Sequence, residues 1–385
     1  MPEREAIRVV VWGLDEIGLA MAHLVERRQG LEIVGAIAAE GSADQVGRDL
    51  GDVMGFGRRF GVTVQDDPAR CLTEARPDVT LLATGSKVER LGPQILRAME
   101  AGSGVICVGA DMVYPWATRP DLADNLDDLA HAHGVTVLGT GLSPGFLFDT
   151  LIITLTGCCM DVERIRAGRI GSLAHWGPEA LRKHGIGLRP SDWNEAWHKH
   201  RFGDRGGLEQ SLHLIADSLG WRLDRVEKDV KPVLAEVRRE LAGLRIDPGQ
   251  VAGTLFTATA YVDDRPRIVL ELLEQAAPEV EGVETGDFID IEGEPSLSVR
   301  LQPEIPGVKA TAALAVNMIL PVVQVGPGLK TMADMPVPRA VLTDLRDLLQ
   351  VSGITVEEEL GRGWHAAGLG GHGAHPSDPA GANAP

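Results

Sequence analysis

The chain has 385 residues, enough for one large domain or two ordinary ones, with 44% hydrophobic and 24% charged residues. Its formal charge of −18 excludes a nucleic-acid partner and an anionic membrane surface, because either needs a basic face. Nucleotide cofactors stay open, since local dipoles bind them.

Four cysteines without zinc-type spacing fit a reducing compartment, and adjacent Cys158 and Cys159 are expected to pack as small apolar groups. The first residues lack the apolar core of a signal peptide. The longest apolar tract, 310–325, is interrupted by Thr311, Asn317 and Pro321. A soluble cytoplasmic protein without a metal site is expected.

Residues 7–12 form a continuous apolar run, as a strand covered on both faces requires. It runs directly into Gly13-Leu-Asp-Glu-Ile-Gly18, and apolar residues at 17, 19, 21, 24 and 25 then follow a helical period. Strand, glycine turn and helix together present backbone N–H groups to a dinucleotide pyrophosphate. Gly13, Leu14, Asp15, Glu16 and Ile17 are therefore candidate cofactor contacts. The middle of the turn lacks glycine, and two acids beside a pyrophosphate are unfavourable unless they turn away. A second strand, 32–38, ends at Ala38, where an acid for the ribose 2′-hydroxyl normally stands. Two readings follow. Glu40 reaches the ribose in a shifted register, or the missing acid admits a 2′-phosphate, with Arg48 either its partner or only a solvated helix residue, so the cofactor is read as NADP or NAD.

Strands at 79–83, 104–108 and 136–138 alternate with helices at 87–101 and 120–133, which predicts a doubly wound parallel sheet. Thr84, Gly85 and Ser86 follow one strand, and Gly109, Ala110 and Asp111 the next, all at the sheet edge that binds ligands. Asp111 is an acid near the crevice or an N-cap for its own turn. Ser143, in the third such loop, caps the helix 148–155 or bonds a substrate. His131 and His133 precede Gly134 and suit a helix C-terminus rather than a metal pair.

Beyond 155 the pattern changes. A strand at 162–170 carries Arg164 and Arg166 on one face and Arg169 on the other. Residues 177–205 read as irregular, and histidines at 175, 184, 198, 200 and 213 lack zinc-helix spacing. A helix at 208–219, strands at 254–262, 267–272, 288–292 and 296–301, and a buried helix at 310–323 suggest an α+β domain. Pro336 and Pro338 open a last helix at 340–349, and the chain beyond 361 is a Gly/Ala/Pro/His tail read as disordered. The division is 1–145 for a Rossmann domain, 146–325 for an α+β substrate and dimerisation domain, 326–360 packing back on the first domain, and 361–385 as tail.

At Gly139-Thr-Gly-Leu-Ser-Pro-Gly-Phe-Leu-Phe-Asp-Thr-Leu-Ile-Ile153 the chain resembles the 2,4-diaminopentanoate dehydrogenases and related native amine dehydrogenases, within the dihydrodipicolinate reductase-like Rossmann enzymes. Further similar segments are Trp176-Gly-Pro178, Leu208-Glu-Gln-Ser-Leu212, Pro303-Glu-Ile-Pro-Gly307 and Pro327-Gly-Leu-Lys-Thr-Met-Ala-Asp334. The resemblance implies NAD(P)-linked oxidative deamination of the 4-amino group of 2,4-diaminopentanoate. The products would be 2-amino-4-oxopentanoate and ammonia, the reverse being reductive amination. It also implies a homodimer. The His-His-x-x-Lys segment of dihydrodipicolinate reductases is not found in this sequence, which disfavours that narrower activity.

The chemistry needs an amine carbon over the nicotinamide, a negative charge near the iminium and a base for water. Where the family has two acids before a Tyr-Pro pair, this chain has Ala110 and Asp111, so Asp111 is the candidate. Ser143 stands where the family has Asn before Pro-Gly. Arg169 matches a family arginine and is either a partner for the substrate carboxylate or a surface strand residue. Two alternatives are carried: an imine or carbonyl reductase of the same fold, and a catalytically weak nucleotide-binding protein.

Overall fold

The computed structural model describes residues 5–174, 176–199 and 207–349. The readings made for His175, His200 and the tail lie outside them. Strand β1 (Ile7–Trp12) leads into helix α1 (Glu16–Glu26), then β2 (Leu31–Ile37), α2 (Leu50–Val53), β3 (Val64–Gln65) and α3 (Pro68–Ala75). β4 (Val79–Leu82), α4 (Val88–Glu100), β5 (Gly104–Cys107), α5 (Pro120–His133) and β6 (Thr136–Gly139) complete the alternation. α5 ends as its histidines suggest: Gly134 takes the left-handed conformation at φ 67°, with His131 and His133 in the last turn.

The second half runs α6 (Thr150–Thr156), β7 (Asp161–Ser172), α7 (Pro178–Lys183), α8 (Pro190–His198), α9 (Leu208–Ser218) and β8 (Arg225–Leu234). It continues with β9 (Arg239–Leu241), β10 (Leu244–Ile246), β11 (Val251–Val262), β12 (Arg265–Gln275), β13 (Gly286–Glu294) and β14 (Leu297–Leu301). Last come α10 (Gly307–Asn317), α11 (Ile319–Gln324), β15 (Gly328–Lys330) and α12 (Leu345–Leu348).

Seven strands form the first sheet in the order β15-β6-β5-β4-β1-β2-β3, every neighbouring pair parallel. The order reverses beside β1, so the crevice above the carboxyl ends of β1 and β4 is the topological switch point of a doubly wound sheet. From Val9 to Trp12 the β1 side chains are buried on both faces, which is why no alternation marks that run.

Helices α10 and α11, expected within the second domain, pack on the first sheet. Ala312, Ala315 and Val316 share a core with Met21, Ala22 and Val25 of α1 and with Val9 and Val11. Fully buried Met21 and Val25 each contribute about 2 kcal/mol of burial there. β15 then adds the seventh strand of the first sheet, parallel to β6. The expected helix at 340–349 is reduced to α12, because Asp344 caps it by accepting the Arg346 N–H at 3.0 Å.

The second sheet has six strands in the order β14-β13-β7-β12-β11-β8, with only β7–β12 parallel among them. Ile165, Ala167, Ile268, Leu270 and Ile289 face Ile152, Leu212 and Ile215 of α6 and α9. The opposite face is not covered by those helices. There Phe288 lies beneath the guanidinium groups of Arg166 and Arg300, at 5.0 and 5.4 Å.

Three local expectations are corrected. The stretch read as irregular after 177 holds α7 and α8, each started by a proline at its first turn. β8 went unread because its charges and Pro232 hide the alternation of an edge strand. Cys158 is exposed rather than packed, and the buried cysteines are Cys71 and Cys107.

Candidate active site

The two retained glycines of the nucleotide turn are the two that sterics require. Gly13 has φ 93°, and a Cβ there would collide with the Ala83 carbonyl at the end of β4. A Cβ on Gly18 would fall on the carbonyl oxygen of Gly13, so glycine lets α1 close against the turn. Asp15, between them, is exposed at the cleft yet has a role in the fold. It is the N-cap of α1, and its Oδ1 accepts the N–H groups of Ile17 at 3.1 Å and Gly18 at 2.9 Å. Glu16 is exposed, and the Leu14 side chain is buried in the first-sheet core. Of the five turn residues, Asp15 and Ile17 line the main cleft.

Two cavities flank the switch point. One, of about 370 Å³, lies beyond the end of β2, with Ala38, Glu40, Asp66 and Gln94 in its wall. Arg48 is exposed and does not line it. The other, of about 380 Å³, is the cleft where β1, β4, β5 and β6 end, lined by Asp15, Gly85, Ser86, Ala110, Ser143 and Thr311 among others. Thr84 turns aside to bond Gln94, and Gly109 packs against Leu91, so neither lines the cleft.

Asp111 adjoins this cleft but is not in its wall. Its carboxylate is 5% exposed. Oδ1 accepts Gln210 Nε2 at 3.1 Å and lies 3.6 Å from Lys87 Nζ, and Oδ2 faces the Val88 N–H at 3.4 Å. The short turn it sits in is capped by Gly109, so the N-cap alternative for Asp111 falls. Burial raises its pKa above the ordinary aspartate value, and the neighbouring Lys87 ammonium opposes the rise. The result is a buried acid tied to the start of α4 on one side and to α9 on the other.

Ser143 does line the cleft, beside a cis peptide to Pro144. It does not cap the following helix, because Asp149 takes that role. Among the described residues, the buried Ser143 Oγ has no hydrogen-bond partner, and neither have Thr140 Oγ1 and Gln210 Oε1. Asp149 is wholly buried, and its Oδ2 accepts the Gly145 N–H at 2.8 Å and the Ser211 hydroxyl at 2.7 Å. It thereby ties the Ser143 loop to α9. Loss of solvent pushes its pKa up against those donors.

Arg169 is neither a surface residue nor a free substrate clamp. Its side chain is 11% exposed, with Nη1 3.5 Å from Oδ1 of the fully buried Asp287 carboxylate. Nη2 donates to the Ile305 carbonyl, and Asp287 Oδ2 accepts the Ile305 N–H at 2.8 Å. The pair therefore joins β7, β13 and the chain before α10. Arg169→Ala is expected to cost about 3 kcal/mol, since it leaves a buried carboxylate uncompensated, while KM for substrate changes little. A large KM rise with unchanged unfolding free energy would instead place it on the substrate.

Sequence reasoning missed Lys87, Gln210, Asp149, Ser211 and Asp287. Only Gln210 and Ser211 carried a signal, as polar residues buried on the inner side of the amphipathic α9.

The glycine cradle at Gly13 and Gly18, beside a cleft at the switch point of the sheet, fits a bound dinucleotide. Fold and cleft together define a Rossmann-type dehydrogenase with a second, mixed-sheet domain. The model of the 2,4-diaminopentanoate dehydrogenase C-terminal domain matches residues 146–351. A 2,4-diaminopentanoate dehydrogenase of Acetoanaerobium sticklandii is 36% identical over 350 residues, covering 90% of this chain and 98% of that protein. An amine dehydrogenase of Streptomyces virginiae is 25% identical, covering 87% of this chain and 98% of its own length. The solved amine dehydrogenase of Mycobacterium smegmatis superposes with a TM-score of 0.74 at 27% identity, over 88% of this chain and 98% of that one. The chain belongs to the 2,4-diaminopentanoate dehydrogenase family.

Proposed function

We propose that this protein is an NAD(P)-dependent amine dehydrogenase that oxidatively deaminates 2,4-diaminopentanoate or a related amino acid. The observation that carries the reading is a buried acid, Asp111, directly behind the wall of a cleft that opens from the dinucleotide cradle. The names of the relatives, matched over nearly their whole length, support the amine as substrate.

The turn after Gly13 and the start of α1 would hold the pyrophosphate, and the cavity beside Ala38 the adenosine half. When bound, the coenzyme supplies the hydride acceptor. The chain supplies the rest. Asp111 places negative charge beside the developing iminium and is our proton acceptor for the attacking water. Lys87, half exposed at the same place, offers a positive charge to a substrate carboxylate. Ser143 Oγ, without a partner among the described residues, accepts a hydrogen bond from the substrate ammonium.

Reductive turnover separates this reading from a plain carbonyl or imine reductase. NADH or NADPH oxidation is expected only when ketone and ammonia are both present. Equal rates without ammonia would overturn it. We further propose a homodimer through the open face around Phe288. Light scattering should give the mass of two chains, and a single-chain mass would refute the dimer.

A further inference from the structure

The cavity beyond β2 is where a coenzyme is read at its adenosine ribose, and its chemistry here is unusual. The position that ordinarily carries the ribose acid is Ala38, and Ala39 follows, so the strand end itself contributes only methyl groups. The charges come from farther away. Glu40 lines the cavity, and its Oε2 lies 3.2 Å from Nη2 of Arg90, in the first turn of α4. The Arg90 stem rests over Gly85, where an added Cβ would stand 3.6 Å from its Cδ. The pair thus bridges the two loops that follow β2 and β4.

Both partners are solvent-exposed, 88% for the Glu40 side chain and 51% for Arg90. A single exposed contact of this kind stabilises the fold little, so it opens readily. Its two halves want opposite ligands. A carboxylate accepts hydrogen bonds from a ribose diol and repels a phosphate. A guanidinium takes a phosphate through two charge-assisted hydrogen bonds. Asp66 is a second acid in the same wall, which makes the cavity hostile to a 2′-phosphate unless Arg90 answers it.

We propose that the Glu40–Arg90 pair discriminates between the two coenzymes. Arg90 leaves Glu40 to bind the 2′-phosphate of NADP(H), and Glu40 accepts from the ribose hydroxyls of NAD(H). This rests on the dinucleotide reading given above and assigns its specificity to two residues. One of them lies on α4, outside the loop after β2.

Equilibrium binding tests it without turnover. Dissociation constants would be measured for NADPH and NADH by fluorescence, and for 2′,5′-ADP and 5′-AMP by calorimetry. Wild type, Arg90→Ala and Glu40→Gln would be compared, with melting curves confirming intact folds. Arg90→Ala is expected to weaken NADPH and 2′,5′-ADP by about tenfold or more while NADH and 5′-AMP move less than about twofold. Glu40→Gln is expected to tighten NADPH and 2′,5′-ADP severalfold and to weaken NADH. The proposal is overturned if both variants leave the NADPH-to-NADH ratio at its wild-type value. If wild type binds neither coenzyme, the dehydrogenase reading falls with it, which is a distinct result.

Discussion

Gly13→Ala is expected to raise the dissociation constants of NADPH and NADH about a hundredfold or more, the combined effect of backbone strain and a steric collision. Gly13 sits at φ 93°, and a methyl group there would meet the Ala83 carbonyl, which belongs to the backbone and has little room to yield. To accommodate it, the turn must move away from β4. That displaces the start of α1, which lines the cleft with Asp15 and Ile17 where we propose the pyrophosphate binds. Fluorescence titration checks the binding, and a melting curve shows whether the sheet survives. Unchanged affinity would mean that the turn is not the coenzyme site.

The second large effect concerns Asp111. Asp111→Asn is expected to lower kcat about a hundredfold or more, the range for loss of a general base, with KM for coenzyme nearly unchanged. The variant keeps the shape and the contact to Gln210 but removes the charge paired with Lys87. The pH profile gives an independent readout. Burial raises the Asp111 pKa, so the ionised form that the proposed role needs is lost as pH falls through a value above that of an exposed aspartate. The acid limb of kcat should therefore lie higher than for an exposed aspartate. Lys87→Met removes the opposing ammonium and should shift that limb to higher pH still. Full activity of Asp111→Asn would send the search for the base elsewhere in the cleft.

Much of the fold was legible in the sequence because it is written locally. The unbroken apolar run of β1, the helical period of α1 and the glycine turn between them need no distant partner. The same holds for α5 and its Gly134 stop. What stayed hidden depends on residues far apart in the chain. Arg169 looks like either a clamp or a surface residue until Asp287 and Ile305 are seen beside it. Asp111 resembles a cap until α9 brings Gln210 to it. Arg48 suggests itself for a 2′-phosphate because it follows β2, whereas it is Arg90, on the next crossover, that pairs with Glu40 of the cavity wall.

Asp15 shows how one residue type carries two opposite readings. As an acid in a pyrophosphate turn it looked damaging. As an N-cap it satisfies two N–H groups of α1 and fixes the helix start. The replaced glycine thus sits where a side chain fits, while the flanking two sit where none does.

The most direct measurement of the central claim is the stoichiometry of amine oxidation. Purified protein would be incubated with 2,4-diaminopentanoate and NADP⁺ or NAD⁺, and reduced coenzyme and free ammonia followed together. One ammonia released per reduced coenzyme is the predicted result. Coenzyme reduction without ammonia, or no amine-dependent reduction with either coenzyme across a panel of related amino acids, would contradict it.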